Sequence, residues 1–119
     1  MITGDELVEL LAEDDVVLLD VRSREEYEGT GGYPCDPYQG HIPGAVHLDL
    51  DEIYAVGGDP EAIRGLLAER GIATERRVVT YCHSGQRSEL AAVLLGAAGV
   101  EAVNYPGSWH EWSRRAPAP

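Results

Sequence analysis

The sequence predicts an α/β fold in which a central parallel sheet of four to five strands carries helices on both faces. Short apolar segments rich in β-branched residues alternate with helical segments, in the order βαβαβαβα after an N-terminal helix. Alternation at this spacing favours parallel strands joined by right-handed crossovers. The 119 residues contain no internal repeat or linker, so we predict a single domain over residues 1–119.

Two capping boxes mark helix starts in the first third of the chain. Thr3-x-x-Glu6 opens a short helix, and Ser23-x-x-Glu26 opens about one turn of a second. Between them, residues 16–19 form a short apolar run typical of a strand buried on both faces. Residues 29–40 are too rich in Gly and Pro for a regular element, which predicts a loop.

The rest of the chain continues the alternation. Strands at residues 77–81 and 102–105 flank a helix at 88–98 that we expect to be largely buried. The remaining predicted elements are a strand at 45–48, a helix from Asp59-Pro60 to Gly71, a last helix at 108–115 and a frayed tail at 116–119.

Charge and composition narrow the possible partners. Nine arginines and no lysine stand against 21 acidic residues, which gives a net charge of −12 and argues against a nucleic-acid partner. No apolar run approaches the roughly 18 residues of a membrane helix, and the N-terminus lacks a secretory pattern, so we expect no membrane association and a cytoplasmic location. Two cysteines are too few for a disulfide scaffold, and none has the spacing of a metal site.

The segment Cys82-His83-Ser84-Gly85-Gln86-Arg87-Ser88 follows the third predicted strand and leads directly into a helix. Ligands of open α/β sheets bind beyond the carboxyl ends of strands. Backbone N–H groups converge in such a turn, and the helix N-terminus adds partial positive charge, so the loop suits an anion. A cysteine at its start gains thiolate character, because the pKa of the thiol falls below its ordinary value.

Each residue of this loop has a functional and a structural interpretation. We predict Cys82 as the nucleophile, with Arg87 and the loop residues as substrate-binding groups. Gly85 allows the turn, and Ser88 either caps the helix or donates to sulfur. Ser84, Gln86 and His83 line the mouth or face water. Alternatively, Cys82 is a small buried apolar residue and Arg87 a solvated surface charge.

The chain resembles the rhodanese homology domain over nearly its whole length. The residues that carry the resemblance are Leu19-Asp20-Val21-Arg22, Glu26-Tyr27, the segment GHIPGA at 40–45, the Cys82 loop and the segment PGSWHEW at 106–112. The last segment and the long loop before Gly40 are most similar to the catalytic half of thiosulfate and mercaptopyruvate sulfurtransferases.

The resemblance implies a sulfurtransferase. Cys82 would take the outer sulfur of a small anionic donor such as thiosulfate, hold it as a persulfide, and pass it to cyanide or a thiol. No metal or organic cofactor is implied. A non-catalytic rhodanese module for protein binding is the main alternative, although such modules commonly lack the cysteine. A phosphatase or arsenate reductase is disfavoured, because those relatives place five residues between Cys and Arg and this chain has four.

Glu26 departs from the family pattern. Two-domain sulfurtransferases carry a donor-binding arginine immediately before the aromatic residue that corresponds to Tyr27, and a carboxylate there cannot bind thiosulfate. Three explanations are open. Arg87 and the loop amides suffice to bind the donor, or Arg22 or Arg24 replaces the missing arginine, or the donor is a protein persulfide or another compound.

Several further residues receive roles in the same frame. Asp20 and Arg22 are expected to form an ion pair or hydrogen-bonded anchor beneath the loop. Cys35 is either an incidental surface thiol or a resolving thiol that attacks the Cys82 persulfide. We expect His41 and Pro43 to shape a turn. Trp109 and Trp112 are expected to anchor the last helix in the core, and the alternative for Trp109 is a pocket wall.

Overall fold

The computed structural model describes residues 2–13 and 15–115, which form a four-stranded parallel sheet between two layers of helices. In chain order, the elements are α1 (Gly4–Leu11), β1 (Val16–Asp20), α2 (Arg24–Glu28), β2 (Val46–His47), α3 (Leu50–Ala55), α4 (Pro60–Glu69), β3 (Arg77–Tyr81), α5 (Gln86–Ala97), β4 (Ala102–Asn104) and α6 (Ser108–Arg115).

The strand order β2-β1-β3-β4 places the two five-residue strands at the centre. β1 and β3 pair over their full length, from Val16 opposite Arg77 to Asp20 opposite Tyr81. The chain leaves β1 toward one side of the sheet and resumes at β3 on the other, so the crossovers diverge between these two strands. The carboxyl ends of β1 and β3 therefore border the crevice where ligands bind in folds of this class.

Each face of the sheet is covered by its own apolar core, because alternate strand residues point to opposite faces. Leu19 and Val78 belong to one core and Leu18 and Val79 to the other. The helices contribute Ile53 of α3, Ile63 and Leu67 of α4, and Ala91 and Leu95 of α5 to the first core, and Leu7 of α1 and Trp109 of α6 to the second. The predicted parallel sheet with helices on both faces is confirmed.

The structure departs from the predicted elements in three respects. α3 was not predicted, although Asp49 and Glu52 form a capping box at its start. The expectation of a largely buried α5 is wrong, because Leu90 and Val93 are exposed and only one side of the helix faces the core. β2 and β4 are shorter than predicted, and the expected frayed tail at 116–119 lies outside the described residues.

Candidate active site

The Cys82 loop turns sharply between β3 and α5. Cys82 follows the last residue of β3, and α5 begins four residues later with Gly85 as its N-cap. Gly85 has φ +95°, and a Cβ at this position would lie 2.5 Å from the carbonyl oxygen of Pro106. Both the backbone conformation and the lack of space require glycine here.

Three hydrogen-bond donors converge on the sulfur of Cys82. The backbone N–H of Gly85 lies 3.1 Å from Sγ, the backbone N–H of Ser88 3.4 Å, and the Ser88 hydroxyl 3.3 Å. Gly85, the N-cap of α5, has no side chain that could accept a hydrogen bond from the helix. The Cys82 sulfur accepts instead from the backbone N–H of Ser88, the third residue of α5. Of the two roles predicted for Ser88, the structure shows donation to sulfur.

These donors favour the thiolate. Burial alone would raise the pKa of Cys82, but hydrogen bonds from the hydroxyl and N–H of Ser88 and from the N–H groups of Gly85 and Ser84 outweigh it, so that the pKa lies below its ordinary value. Cys82 is therefore buried and activated at the same time.

The start of α6 holds the loop from the opposite side. The N–H of Cys82 donates to the Ser108 hydroxyl at 3.0 Å, which in turn donates to the carbonyl oxygen of Tyr105 at 2.9 Å. The N–H of Trp109 donates to the carbonyl oxygen of Cys82 at 2.9 Å. Ser108 is fully buried and has φ +54°, an uncommon conformation for a residue with a side chain.

Arg87 is engaged by a carboxylate. Its two terminal nitrogens contact the two oxygens of Glu26 at 2.9 and 3.0 Å, in the bidentate geometry that guanidinium and carboxylate groups prefer. Burial tends to raise the pKa of Glu26, but hydrogen bonding and attraction from Arg87, with support from Ser23, lower it to about 2. The same hydrogen bonds raise the pKa of Arg87 above its ordinary value.

His83 connects the loop to the Gly/Pro-rich segment. Its Nε2 lies 2.9 Å from Oδ2 of Asp36, and Tyr33 stacks on its ring with the centroids 3.8 Å apart. Asp36 also accepts from Arg114 of α6 at 2.8 Å. His83 is thus buried and fixed by the segment that folds over it, rather than facing water.

The expected anchor beneath the loop is present. Arg22 donates to both carboxylate oxygens of Asp20 and, at 2.6 Å, to the carbonyl oxygen of Gly40. Burial raises the pKa of Tyr81 well above its ordinary value, and its hydroxyl donates to Asp20 at 2.6 Å. Arg22 is buried and paired, so the expectation that it could substitute as a donor-binding residue is wrong.

The other predicted residues lie at the edges of the site. Ser84 and Gln86 are exposed. Arg24 is exposed and pairs with Glu28 on its own helix. The His41 ring stacks on Tyr27, and a turn at Pro43 and Gly44 follows, as expected.

The two tryptophans and Cys35 complete the set of predicted residues. Trp109 is buried and Trp112 packs against the same core, which confirms their role as anchors of α6. Arg22 also lies over the ring of Trp109, 5.1 Å from its centroid. Cys35 is an exposed free thiol, and among the described residues no hydrogen bond joins it to Cys82.

Three residues of the site were not predicted to act there. Ser108 supports the Cys82 backbone, Asp36 holds His83, and Asn104 donates to the carbonyl oxygen of Gly85 at 3.1 Å. Their partners are distant in sequence, so only the resemblance offered a signal, and only for Ser108, which lies in the matching segment at 106–112.

Over residues 2–13 and 15–115, no three His, Cys, Asp or Glu side chains are grouped so that they could hold a metal ion. In the same part of the chain, every helix is too short or too polar to cross a membrane.

Known proteins are similar to this chain in sequence. SseB of Mycobacterium tuberculosis is 38% identical over 101 residues, which cover 82% of this chain and 35% of that protein. The thiosulfate sulfurtransferase of Azotobacter vinelandii is 33% identical over 123 residues, covering 97% of this chain and 43% of that enzyme. The chain therefore spans less than half the length of these curated relatives.

A solved structure matches at full length. The human single-domain sulfurtransferase is 30% identical, with a TM-score of 0.73, and the match covers 98% of this chain and 97% of that one. Residues 3–115 match the family described as the rhodanese-like domain. The chain belongs to the rhodanese-like domain family.

Proposed function

We propose that this chain is a sulfurtransferase that carries sulfane sulfur on Cys82. The donor is thiosulfate or a related small sulfane-sulfur compound, and the acceptor is cyanide or a thiol. Support comes from a relative named thiosulfate sulfurtransferase, from the solved structure of a single-domain sulfurtransferase, and from the lowered pKa of the cysteine at the end of β3. The three donors on the Cys82 sulfur are the observation that carries the proposal.

The proposed reaction has two half-reactions at one sulfur atom. The Cys82 thiolate attacks the outer sulfur of thiosulfate, the S–S bond of the donor breaks with its electron pair on sulfite, and a Cys82 persulfide anion remains. Cyanide then attacks the outer sulfur of the persulfide, thiocyanate leaves, and the thiolate is restored. No net proton, oxidant or reductant is needed in either step.

The residues around Cys82 fit both states of the sulfur. The N–H groups of Gly85 and Ser88 and the Ser88 hydroxyl stabilise negative charge on Sγ before the attack. The proposal requires these donors, or their neighbours in the loop, to serve the terminal sulfur of the persulfide as well. The hydrogen bonds from Cys82 N–H to Ser108 and from Trp109 N–H to Cys82 keep the nucleophile in place between turnovers.

Mass spectrometry of the unreduced protein before and after incubation with thiosulfate tests the proposal. We expect the wild type to gain about 32 Da, the mass of one sulfur atom, and Cys82→Ser to gain nothing while keeping its fold. Cys35→Ser is the matched control, because it removes the other free thiol. A gain in Cys82→Ser would contradict the assignment of the nucleophile. The absence of any gain with thiosulfate, mercaptopyruvate and a persulfide donor would favour a binding module.

The resolving role of Cys35 stays a prediction. It requires Cys35 to attack the Cys82 persulfide, release sulfide and leave a disulfide. Sulfide release from the loaded protein should then fall in Cys35→Ser. Unchanged release would leave Cys35 as a surface thiol.

We also propose the cytoplasm as the compartment, because Cys82 must remain a free thiol to accept sulfur and a reducing compartment maintains free thiols. Fractionation of the source cells, with detection of the protein in each fraction, tests this; recovery outside the cytoplasmic fraction would contradict it.

A further inference from the structure

Glu26 of α2 pairs with Arg87, which follows the Cys82 loop at the start of α5. Arg87 lies in the first turn of α5, immediately before Ser88, whose backbone N–H and hydroxyl contact the Cys82 sulfur at 3.4 and 3.3 Å. Each of its terminal nitrogens donates one hydrogen bond to Glu26, so the carboxylate neutralises the charge of the guanidinium. When an anion approaches, the positive charge of Arg87 is therefore already balanced by the carboxylate of Glu26.

Glu26 is held in this position by its own helix. One of its carboxylate oxygens accepts from the backbone N–H of Ser23 at 3.2 Å and from the Ser23 hydroxyl at 3.1 Å, as part of the capping box of α2. The side chain is buried, and its pKa of about 2 keeps it ionised at any working pH. Movement of Glu26 away from Arg87 would break both the cap and the ion pair.

The neighbouring arginines do not replace the charge of Arg87. Among the described residues, Arg22 pairs with Asp20, Arg114 with Asp36, and Arg24 with Glu28. The whole chain carries a net charge of −12. A doubly charged donor must therefore approach the Cys82 thiolate without an uncompensated cation and against an unfavourable field.

Resting on the proposed sulfurtransferase function, we propose that Glu26 is a specificity-determining residue that selects sulfur donors by charge. It disfavours dianions such as thiosulfate and leaves donors with a single negative charge, such as organic thiosulfonates, as the preferred class. With such a donor, RSO2S⁻, the Cys82 thiolate takes the outer sulfur and the sulfinate RSO2⁻ leaves. Charge and atoms balance without a further reactant.

The test compares two donors that differ in charge at the reacting end. Thiosulfate and methanethiosulfonate are each mixed with wild type and Glu26→Gln, and the second-order rate constant of Cys82 loading is measured by quenched-flow mass spectrometry. Glutamine keeps a polar group that can close the capping box, so α2 is retained. Glu25→Gln is the matched control, because it removes the same charge from an exposed position of the same helix.

We expect Glu26→Gln to raise the thiosulfate constant about tenfold relative to the methanethiosulfonate constant, as loss of one nearby charge in a partly screened site predicts. Glu25→Gln should change this ratio less than twofold. Glu26→Asp keeps the charge and should retain the wild-type ratio, which separates the effect of charge from that of side-chain length. For each donor, the rate constant of a variant is divided by the rate constant of the wild type. This ratio removes the difference in intrinsic reactivity between the two compounds.

Two outcomes would overturn this inference and leave the proposed function standing. One is an equal change for both donors in Glu26→Gln, which would mean a general disturbance of the site. The other is slower loading by thiosulfate, which would mean that Glu26 orients Arg87 for dianion binding. Failure of both donors to load Cys82 in every variant would instead overturn the proposed function, and the inference with it.

Discussion

At the scale of single residues, the chemistry of the site depends on what surrounds the Cys82 sulfur. The thiol is buried, which by itself favours the neutral form, yet its pKa is lowered because three donors point at Sγ. Ser88 supplies two of the three donors, one from its backbone and one from its hydroxyl. The hydroxyl can be removed without disturbing the helix, which makes its contribution measurable.

Ser88→Ala should raise the pKa of Cys82 toward its ordinary value. The alkylation rate of Cys82 by iodoacetamide should then reach its half-maximum at higher pH, so that alkylation near pH 6.5 is several-fold slower than in wild type. The plateau rate at high pH should change little, because the thiolate is then fully formed in both proteins. Ser84→Ala is the control, since the side chain of Ser84 is exposed and its backbone N–H is retained. An unchanged midpoint in Ser88→Ala would contradict this role of the hydroxyl.

At the scale of elements, the junction of β3, the loop and α5 depends on one backbone position. Gly85 connects β3 to α5 in a left-handed conformation, and the backbone of Pro106 packs so closely against it that a Cβ would not fit. The N-terminus of α5 then reaches the sulfur, and Asn104 of β4 fastens the Gly85 carbonyl oxygen. The geometry around Cys82 is therefore a property of two strands and a helix rather than of the loop alone.

Gly85→Ala should lower the free energy of unfolding by about 1–3 kcal/mol, since it combines an unfavourable φ with a steric clash. Gly65→Ala is a matched control in the exposed interior of α4, where a Cβ meets nothing within 4 Å and φ is not in the left-handed region. That substitution should raise the free energy of unfolding by up to about 1 kcal/mol. Urea unfolding measures both, and a stable Gly85→Ala would contradict the assigned strain.

The elements differ in how well the sequence predicts them. β1 and β3 are buried apolar strands, and their pattern of burial is visible in a few consecutive residues, as are the capping boxes of α1 and α2. α3 was not predicted, although Asp49 and Glu52 at its start form the same kind of capping box as those of α1 and α2, so the signal was present in the sequence. In α5 the apolar residues lie all around the helix, so nothing in the sequence distinguished the exposed Leu90 and Val93 from the buried Leu95.

The residues of the site also differ in how well the sequence predicts them. The Cys82 loop is contiguous, so its chemistry was predicted from seven neighbouring residues. The pairing of Glu26 with Arg87 spans 61 positions, and that of Asp36 with His83 spans 47. Such contacts depend on how the sheet brings loops together, which a single sequence does not display. The resemblance identified Glu26 as unusual, and the structure shows which residue it engages.

At the scale of the whole molecule, the topology places the two halves of the site at the crevice between β1 and β3. β1 leads to Asp20, Arg22 and α2, and β3 leads to Cys82. The Glu26–Arg87 pair joins these halves across the crevice. It therefore contributes to the stability of the fold as well as to the charge of the site.

This contribution should depend on pH in the acid range. The folded-state pKa of Glu26, about 2, lies below the ordinary value of 4.5, so the stabilisation is complete above about pH 5 and disappears as pH falls toward 2. Arg87 is about one-third exposed, which reduces the expected amount to about 1–2 kcal/mol. Urea unfolding should show Glu26→Gln less stable than wild type by this amount at pH 6, with the difference shrinking at pH 3. A difference that is the same at both pH values would contradict the assignment.

The separation in sequence of these contacts bears on the order in which the site is completed during folding. The donors to the Cys82 sulfur come from only three and six residues away, so these contacts carry a small loop-closure cost, and the contacts of the loop with Asn104 and Ser108 carry a larger one. The carboxylate that balances Arg87 arrives from 61 residues away and only after the sheet is closed, because distant contacts carry the largest loop-closure cost. We therefore expect a chain that is still folding to expose the Cys82 thiol before Glu26 pairs with Arg87, so that adventitious sulfur or oxidants can reach that thiol during this interval.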